Sequence, residues 1–400
     1  MRLLLGTKFK TPFSFSPRHY CISTLAPARQ NTTPPCPRTS SALLPSAPPR
    51  LPSTHRKHHQ HISHRTMATS ASQAPVLKKP VRLACIQLAS GPDKAANLAH
   101  ARAKVLEASR APHSADIVVL PECFNSPYGC DYFPSYAETL LPSPPTPEQS
   151  PSFHALSEMA REAGVYLVGG SIPELGPSPS SSSSPPSSEG GADGKQKYYN
   201  TSLTFSPEGT LLATHRKVHL FDIDIPGGIT FRESDVLSPG NKLTVIDLPE
   251  YGRIAVAICY DIRFPELATI AARGSPAAGG ETAGDEPGCF ALIYPGAFNL
   301  TTGPLHWKLL AQARAVDNQL YVAVCSPARD TSATYHAWGH SLVADPMARV
   351  LVELEDKEGI AVAELTGDKI AETRKGIPLG GQRRFDVYPD ISKGKIRFDE

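Results

Sequence analysis

From position 81 onward the chain alternates between short apolar runs and longer amphipathic stretches, and this rhythm predicts its elements. Residues 81–87 read as a strand, and the Ala- and Leu-rich stretch 94–111 as a helix. The run 116–120 is a buried strand that Pro121 stops. A helix follows over 151–163 and a strand over 165–170. Runs 199–205 and 210–217 flank Ser206-Pro-Glu-Gly209 and form a hairpin. Runs 243–248 and 254–258 make a second strand pair, turning at 249–252. A helix starts near Pro265, followed by a strand at 290–294, a helix at 303–318 and a strand at 320–325. A hairpin over 340–344 and 348–354 turns at Asp345-Pro346, and 360–365 closes the series. Strands and helices alternate early and late, with hairpins between. That order predicts an α/β fold of two sheets covered by helices.

Four stretches break the rhythm and set the domain limits. Residues 1–78 are rich in Arg, Ser, Pro and His and show no sustained period. They read as a disordered extension, and an acid-free, Arg-bearing N-terminus suggests a mitochondrial transit peptide. A true start at Met67, with a cytoplasmic product, is the alternative. The His-rich tract 55–64 is a solvated basic run rather than a metal site. Stretches 176–196 and 275–288 are Ser/Pro/Gly- and Gly/Ala/Pro-rich insertions, read as surface loops. One folded domain then occupies 79–366, and 367–400 is a charged tail.

Charge changes the picture only when it is divided. The chain carries 40 Lys+Arg and 38 Asp+Glu, yet residues 1–80 hold 12 of the basic residues and no acid. Residues 81–400 therefore carry 28 basic against 38 acidic residues, a net charge of −10. An acidic body argues against nucleic-acid binding. With no run of 18 apolar residues, no membrane-spanning helix is expected. The eight cysteines are scattered without a CxxC pair, which points to free thiols in a reducing compartment and to no zinc site.

Ligands of open α/β folds collect at strand carboxyl ends. Three such ends carry chemistry: Glu122 after 116–120, Lys217 after the hairpin, and Cys259 after the apolar run that begins at Ile254. Alone, Cys259 reads as a buried small hydrophobe, or as a thiolate favoured by the helix expected to follow. Together the three supply what thiol-based acyl transfer needs: a nucleophile, a base to take and return its proton, and a cation for the oxyanion.

The order of these residues also resembles a known family. Pro121-Glu122-Cys123-Phe124, His215-Arg216-Lys217-Val218-His219-Leu220 and Cys259-Tyr260-Asp261-Ile262-Arg263-Phe264-Pro265-Glu266 are similar to the three signatures of the carbon–nitrogen hydrolase (nitrilase) superfamily. The resemblance runs from about 81 to 388. Phe124-Asn-Ser-Pro-Tyr-Gly129, Ile229-Thr-Phe-Arg-Glu-Ser234, Tyr294-Pro-Gly-Ala-Phe-Asn-Leu-Thr-Thr-Gly-Pro304 and Ser326-Pro-Ala-Arg-Asp330 place it nearest the omega-amidase branch.

What the resemblance implies is a four-layer α-β-β-α sandwich that pairs as a homodimer, with the tail reaching the partner and no metal or organic cofactor. It also implies hydrolysis of the distal amide of 2-oxoglutaramate or 2-oxosuccinamate. Carried over by position, Glu122 is the general base, Lys217 the oxyanion cation, Cys259 the nucleophile and Glu233 a second glutamate that orients the lysine or activates water. The N–H of Tyr260 is a further oxyanion donor. Arg263 is the candidate for the far carboxylate of this keto-acid amide, or else pairs with Glu266 or Asp261. Phe124, Tyr128 and Phe298 are candidate pocket walls, while Cys123, His219 and His306 read as structural. The alternatives are deaminated glutathione amidase, which shares the three motifs, and a catalytically idle interaction scaffold.

Overall fold

Eight strands form the first sheet: β1 (Val81–Gln87), β2 (Ile117–Val119), β3 (Glu138–Thr139), β4 (Tyr166–Val168), β5 (Ile172–Leu175), β6 (Tyr198–Phe205), β7 (Leu211–Arg216) and, from the far end of the chain, β16 (Gly359–Leu365). This computed structural model describes residues 75–177, 196–273, 288–384 and 387. The strand order is β16-β1-β2-β4-β6-β5-β3, with β7 also paired to β6. A small ribbon joins β8 (Asp222–Asp224) to β9 (Thr230–Arg232). The second sheet runs in chain order from β10 (Thr244–Leu248) through β11 (Gly252–Val256), β12 (Cys289–Pro295), β13 (Tyr321–Cys325) and β14 (Leu342–Ala344) to β15 (Val350–Glu353). Parallel pairs β1–β2–β4 and β11–β12–β13 sit at the centre of the two sheets. These strands are buried on both faces, which is why their sequences are nearly continuous apolar runs.

Alternation along each strand separates three cores. Val81, Leu83 and Cys85 of β1 meet Ile254 and Val256 of β11 and Ile293 of β12 between the sheets. The opposite face, with Ala84 and Ile86, packs beneath α1 (Lys94–Ser109) and α3 (Pro151–Ala163). A four-residue helix, α2 (Phe133–Tyr136), lies between these two in sequence. The outer face of the second sheet, with Ala255, Leu292 and Val322, is covered by α4 (Pro265–Ala272) and α5 (Lys308–Asn318). The result is the expected four-layer α-β-β-α sandwich. Each fully buried aliphatic side chain contributes roughly 1.5–3 kcal/mol.

Local signals set the helix limits. Asp93 caps α1 by accepting from the N–H of Ala96, and Ser150 caps α3 by accepting from Phe153, with Pro151 in the first turn. Gly164, in the left-handed region, ends α3. Helix α1 stops at Ser109, short of the expected 111: Arg110 is extended and its N–H turns back to the Glu107 carbonyl. The expected helix 303–318 divides: Gly303–Trp307 forms a wider π-type turn before α5.

The domain limits also move. Leu77 is buried and bridges Gly252, so the fold begins before residue 79. Residues Gly367–Gly376, expected in the tail, form α6, whose Ile370 enters the core between the sheets. Residues 1–74, 178–195, 274–287 and 388–400 lie outside the described residues, so the extension, most of both insertions and the end of the tail are not described.

Candidate active site

Three strand ends converge beside the β8–β9 ribbon. Glu122 follows β2 through Leu120 and Pro121, whose carbonyl oxygen would lie 2.1 Å from a Cβ on Gly170. Gly170, at φ +59°, lets β4 turn into β5 while this loop passes close beneath. Lys217 directly follows β7, its N–H donating to the Asn200 carbonyl of β6. Cys259 follows β11 by way of Ala257 and Ile258 at φ +47°, a left-handed conformation uncommon for any residue but glycine. Such strain concentrates at functional elbows.

The side chains form one buried cluster. The Lys217 ammonium is fully enclosed, 3.2 Å from Glu122 Oε1 and 2.8 Å from Glu233 Oε1. Asn200 donates to the same Glu122 oxygen at 2.8 Å, and Glu233 Oε2 accepts from the Phe221 N–H at 2.8 Å. Glu122 Oε2 is buried and has no hydrogen-bond partner among the described residues. Burial pushes the Glu122 carboxyl above its usual range, against the pull of Lys217. For Lys217 burial opposes the charge, but Glu122 and Glu233 outweigh it and hold the ammonium protonated.

Burial, reinforced by the charge of Glu122, pushes the Cys259 thiol well up, while Lys217 and the Ala297 N–H pull only partly against this. Packing therefore favours the neutral thiol over the thiolate in the resting site. The helix expected right after Cys259 does not supply a thiolate, because Cys259–Arg263 is a 3₁₀ turn and α4 begins only at Pro265.

Asp261 ties the turn to the lysine's strand. Its buried carboxylate accepts from the Ile258 N–H at 2.9 Å and from the His219 N–H and Nδ1 at 2.8 and 2.7 Å, and meets His215 Nε2 at 3.3 Å. Burial alone would raise this carboxyl; hydrogen bonds from His215 and His219 hold it far below the usual range instead. Both histidines are thus engaged with Asp261, and His219 also stacks on Phe264.

Arg263 pairs with neither Asp261 nor Glu266 in the described contacts. Its guanidinium lies over the rings of Phe298 (4.7 Å) and Tyr260 (5.3 Å), donates to His306 Nδ1 at 3.2 Å, and keeps a buried Nε without a partner. Tyr128 packs on Tyr335, and Tyr260 packs on Phe221 beside the Glu233 contact. Phe124 departs from expectation. Its ring is buried with Ile86, Leu120 and Phe153 under the helices of the first sheet, so it forms core rather than pocket wall. Cys123 faces away, against Phe133 and Leu237.

Sequence reading did not find Asn200, the clamp role of Asp261, or Tyr335. A polar Asn inside the fully buried stretch of β6 is the signal for the first. Gly296 was also missed; a Cβ there would stand 3.1 Å from the Cys259 Cα and 3.2 Å from the Trp307 ring.

This arrangement of thiol, carboxylate pair and lysine on a four-layer sandwich defines a class. The chain belongs to the carbon-nitrogen hydrolase family, which matches residues 82–375. It is a hydrolase. It is 47% identical over 322 residues to the omega-amidase NIT3 of Saccharomyces cerevisiae, covering 80% of this chain and 99% of that protein. Its identity to the omega-amidase NIT2 of Homo sapiens is 48% over 307 residues, covering 77% and 96%. The crystal structure of Saccharomyces cerevisiae Nit3, a member of branch 10 of the nitrilase superfamily, superposes with a TM-score of 0.65 at 44% identity, covering 78% of this chain and all of that one.

Proposed function

We propose that the protein is an omega-amidase that hydrolyses the distal amide of 2-oxoglutaramate and 2-oxosuccinamate, giving 2-oxoglutarate or oxaloacetate and ammonia. The observation that carries this reading is the guanidinium of Arg263 on its aromatic platform, four residues beyond a thiol that faces the Glu122–Lys217–Glu233 cluster. A nucleophile at one end and a planar cation at the other fit a short chain with an amide at one end and a carboxylate at the other.

In the reaction Glu122 takes the Cys259 proton as sulfur bonds to the amide carbon. The oxyanion is met by Lys217 and the N–H of Tyr260. Glu122 returns the proton to nitrogen, the C–N bond breaks, and ammonia leaves a thioester. Glu122 then deprotonates water, which attacks the thioester and releases the acid and the thiol. Glu233 holds the Lys217 ammonium in place throughout. These steps require no metal or organic cofactor.

The similarity to the omega-amidases of yeast and human supports omega-amidase over deaminated glutathione amidase. Turnover of 2-oxoglutaramate against that of the deaminated tripeptide tests the choice; a preference for the tripeptide overturns it. Cys259→Ala tests the mechanism and separates an enzyme from an idle scaffold, since hydrolysis that survives it refutes the thioester route.

A homodimer through the outer helices completes the proposal. Ile270 of α4 (57% exposed), Leu305 (67%) and Leu309 of α5 (60%) leave an apolar face open on that layer. Sedimentation of an Ile270→Lys/Leu309→Lys protein as a monomer is the expected result. For localisation, the acid-free N-terminus supports mitochondrial targeting. A reporter fused to residues 1–66 that stays diffuse in the cytoplasm favours initiation at Met67.

A further inference from the structure

Tyr128 closes the loop that leaves β2 through Glu122. Its ring lies 4.3 Å from that of Tyr335 and 6.3 Å from that of Phe231, centroid to centroid. Tyr335 is anchored in turn, its hydroxyl donating to the Ala297 carbonyl next to the Gly296 that abuts Cys259. Ring contacts therefore pin Tyr128 against the wall that carries the nucleophile. Its own hydroxyl oxygen is buried and has no hydrogen-bond partner among the described residues. A buried, unpaired hydroxyl is costly, and where it persists beside a pocket a ligand is the natural partner.

The two cations of the site have assignments. Lys217 is held between two carboxylates, and Arg263 lies over the Phe298 and Tyr260 rings with a buried Nε that has no partner among the described residues. Burial and the nearby charge of Glu122 push the phenol's ionisation well up, so the hydroxyl stays a neutral donor. A 2-oxo acid amide has one polar atom left once its amide meets the thiol and its carboxylate meets Arg263. That atom is the ketone oxygen, which only accepts hydrogen bonds. We infer that the Tyr128 hydroxyl donates to the 2-oxo oxygen of the substrate and is the residue that selects 2-oxo acid amides. This rests on the omega-amidase reading and sharpens it.

The test compares 2-oxoglutaramate with glutaramate, which keeps both ends and replaces the ketone by a methylene. Tyr128→Phe keeps the ring and its contacts with Tyr335 and Phe231 and removes only the donor. The ratio of kcat/KM for 2-oxoglutaramate over glutaramate is expected to fall about tenfold, because a site built to hydrogen-bond one group discriminates strongly against its absence. A ratio within twofold of the unaltered protein overturns the assignment, whether both rates fall together or neither falls. If the unaltered protein turns over glutaramate but not 2-oxoglutaramate, the functional reading fails along with this inference.

Discussion

Replacing Lys217 by Met removes a charge while nearly keeping a length, so it probes what the buried cation does. The ammonium sits between Glu122 and Glu233 at 3.2 and 2.8 Å with no exposure of its side chain. Its loss leaves two enclosed carboxylates facing each other. Breaking a buried ion pair costs about 3–5 kcal/mol. For a chain of this size that lowers Tm by on the order of 10 °C. Glu122 responds by binding a proton more readily. Burial already holds Glu122 above its usual range, and Lys217 is the largest influence pulling it down. Without the lysine the Glu122 carboxyl moves further up, which favours its protonated form and weakens it as acceptor of the thiol's proton.

The oxyanion also loses a donor, worth roughly 10²–10³ in kcat by itself. General-base loss adds to this without simple multiplication. The expected outcome is a fall of at least about 10³-fold in ammonia release from 2-oxoglutaramate. A carboxyl whose folded value is raised is penalised when ionised, so the deficit in Tm should widen as pH rises and narrow as it falls toward 5. Adding Glu233→Gln to Lys217→Met removes one stranded charge and should restore several degrees without restoring activity. A single variant within tenfold of the normal rate, or a double variant no more stable than the single, would refute this account.

Three further outcomes follow from other contacts. Gly296→Ala pushes a methyl to 3.1 Å from the Cys259 Cα, so kcat and the rate of Cys259 alkylation should fall together by roughly ten- to hundredfold with KM little changed. Arg263→Lys keeps the charge but loses the planar fork on Phe298. KM for 2-oxoglutaramate should rise about tenfold, and turnover of butyramide, which has no far carboxylate, should be spared. Asp261→Asn places N–H groups against N–H donors and should cost roughly 3–5 kcal/mol, read by urea unfolding at pH 7. Because the folded Asp261 carboxyl titrates below its ordinary 3.8, its stabilisation is complete above that value and is lost as pH falls beneath it. The gap between variant and wild type should therefore close in acid, and a gap constant down to pH 2 would count against the clamp.

The sequence by itself determined the layers and the chemical trio. Short, nearly continuous apolar runs at 290–294 and 320–325, and the largely apolar 81–87, mark strands buried on both faces, because a run this short and β-branched suits a central strand better than a helix. Glu122, Lys217 and Cys259 were legible because each is a polar or reactive residue placed where such a run ends. Short elements were not legible. Strands β3, β8 and β9 have two or three residues, too few for any period, and α6 showed little periodicity despite burying Ile370.

Only the tertiary structure decided which neighbours each reactive group has. Phe124, two residues from Glu122, turns into the helix-side core, whereas Tyr128, six residues on, packs on Tyr335. Asn200 meets Glu122 across 78 positions of sequence, and Asp261 meets His219 across 42. The protonation of Cys259 was likewise a matter of packing: burial and the charge of Glu122 outweigh Lys217, and the helix that was to favour a thiolate starts six residues later. Spacing along a chain sets what a residue is able to do, but desolvation and partners depend on contacts between distant segments, and those exist only once the sheets have closed on each other.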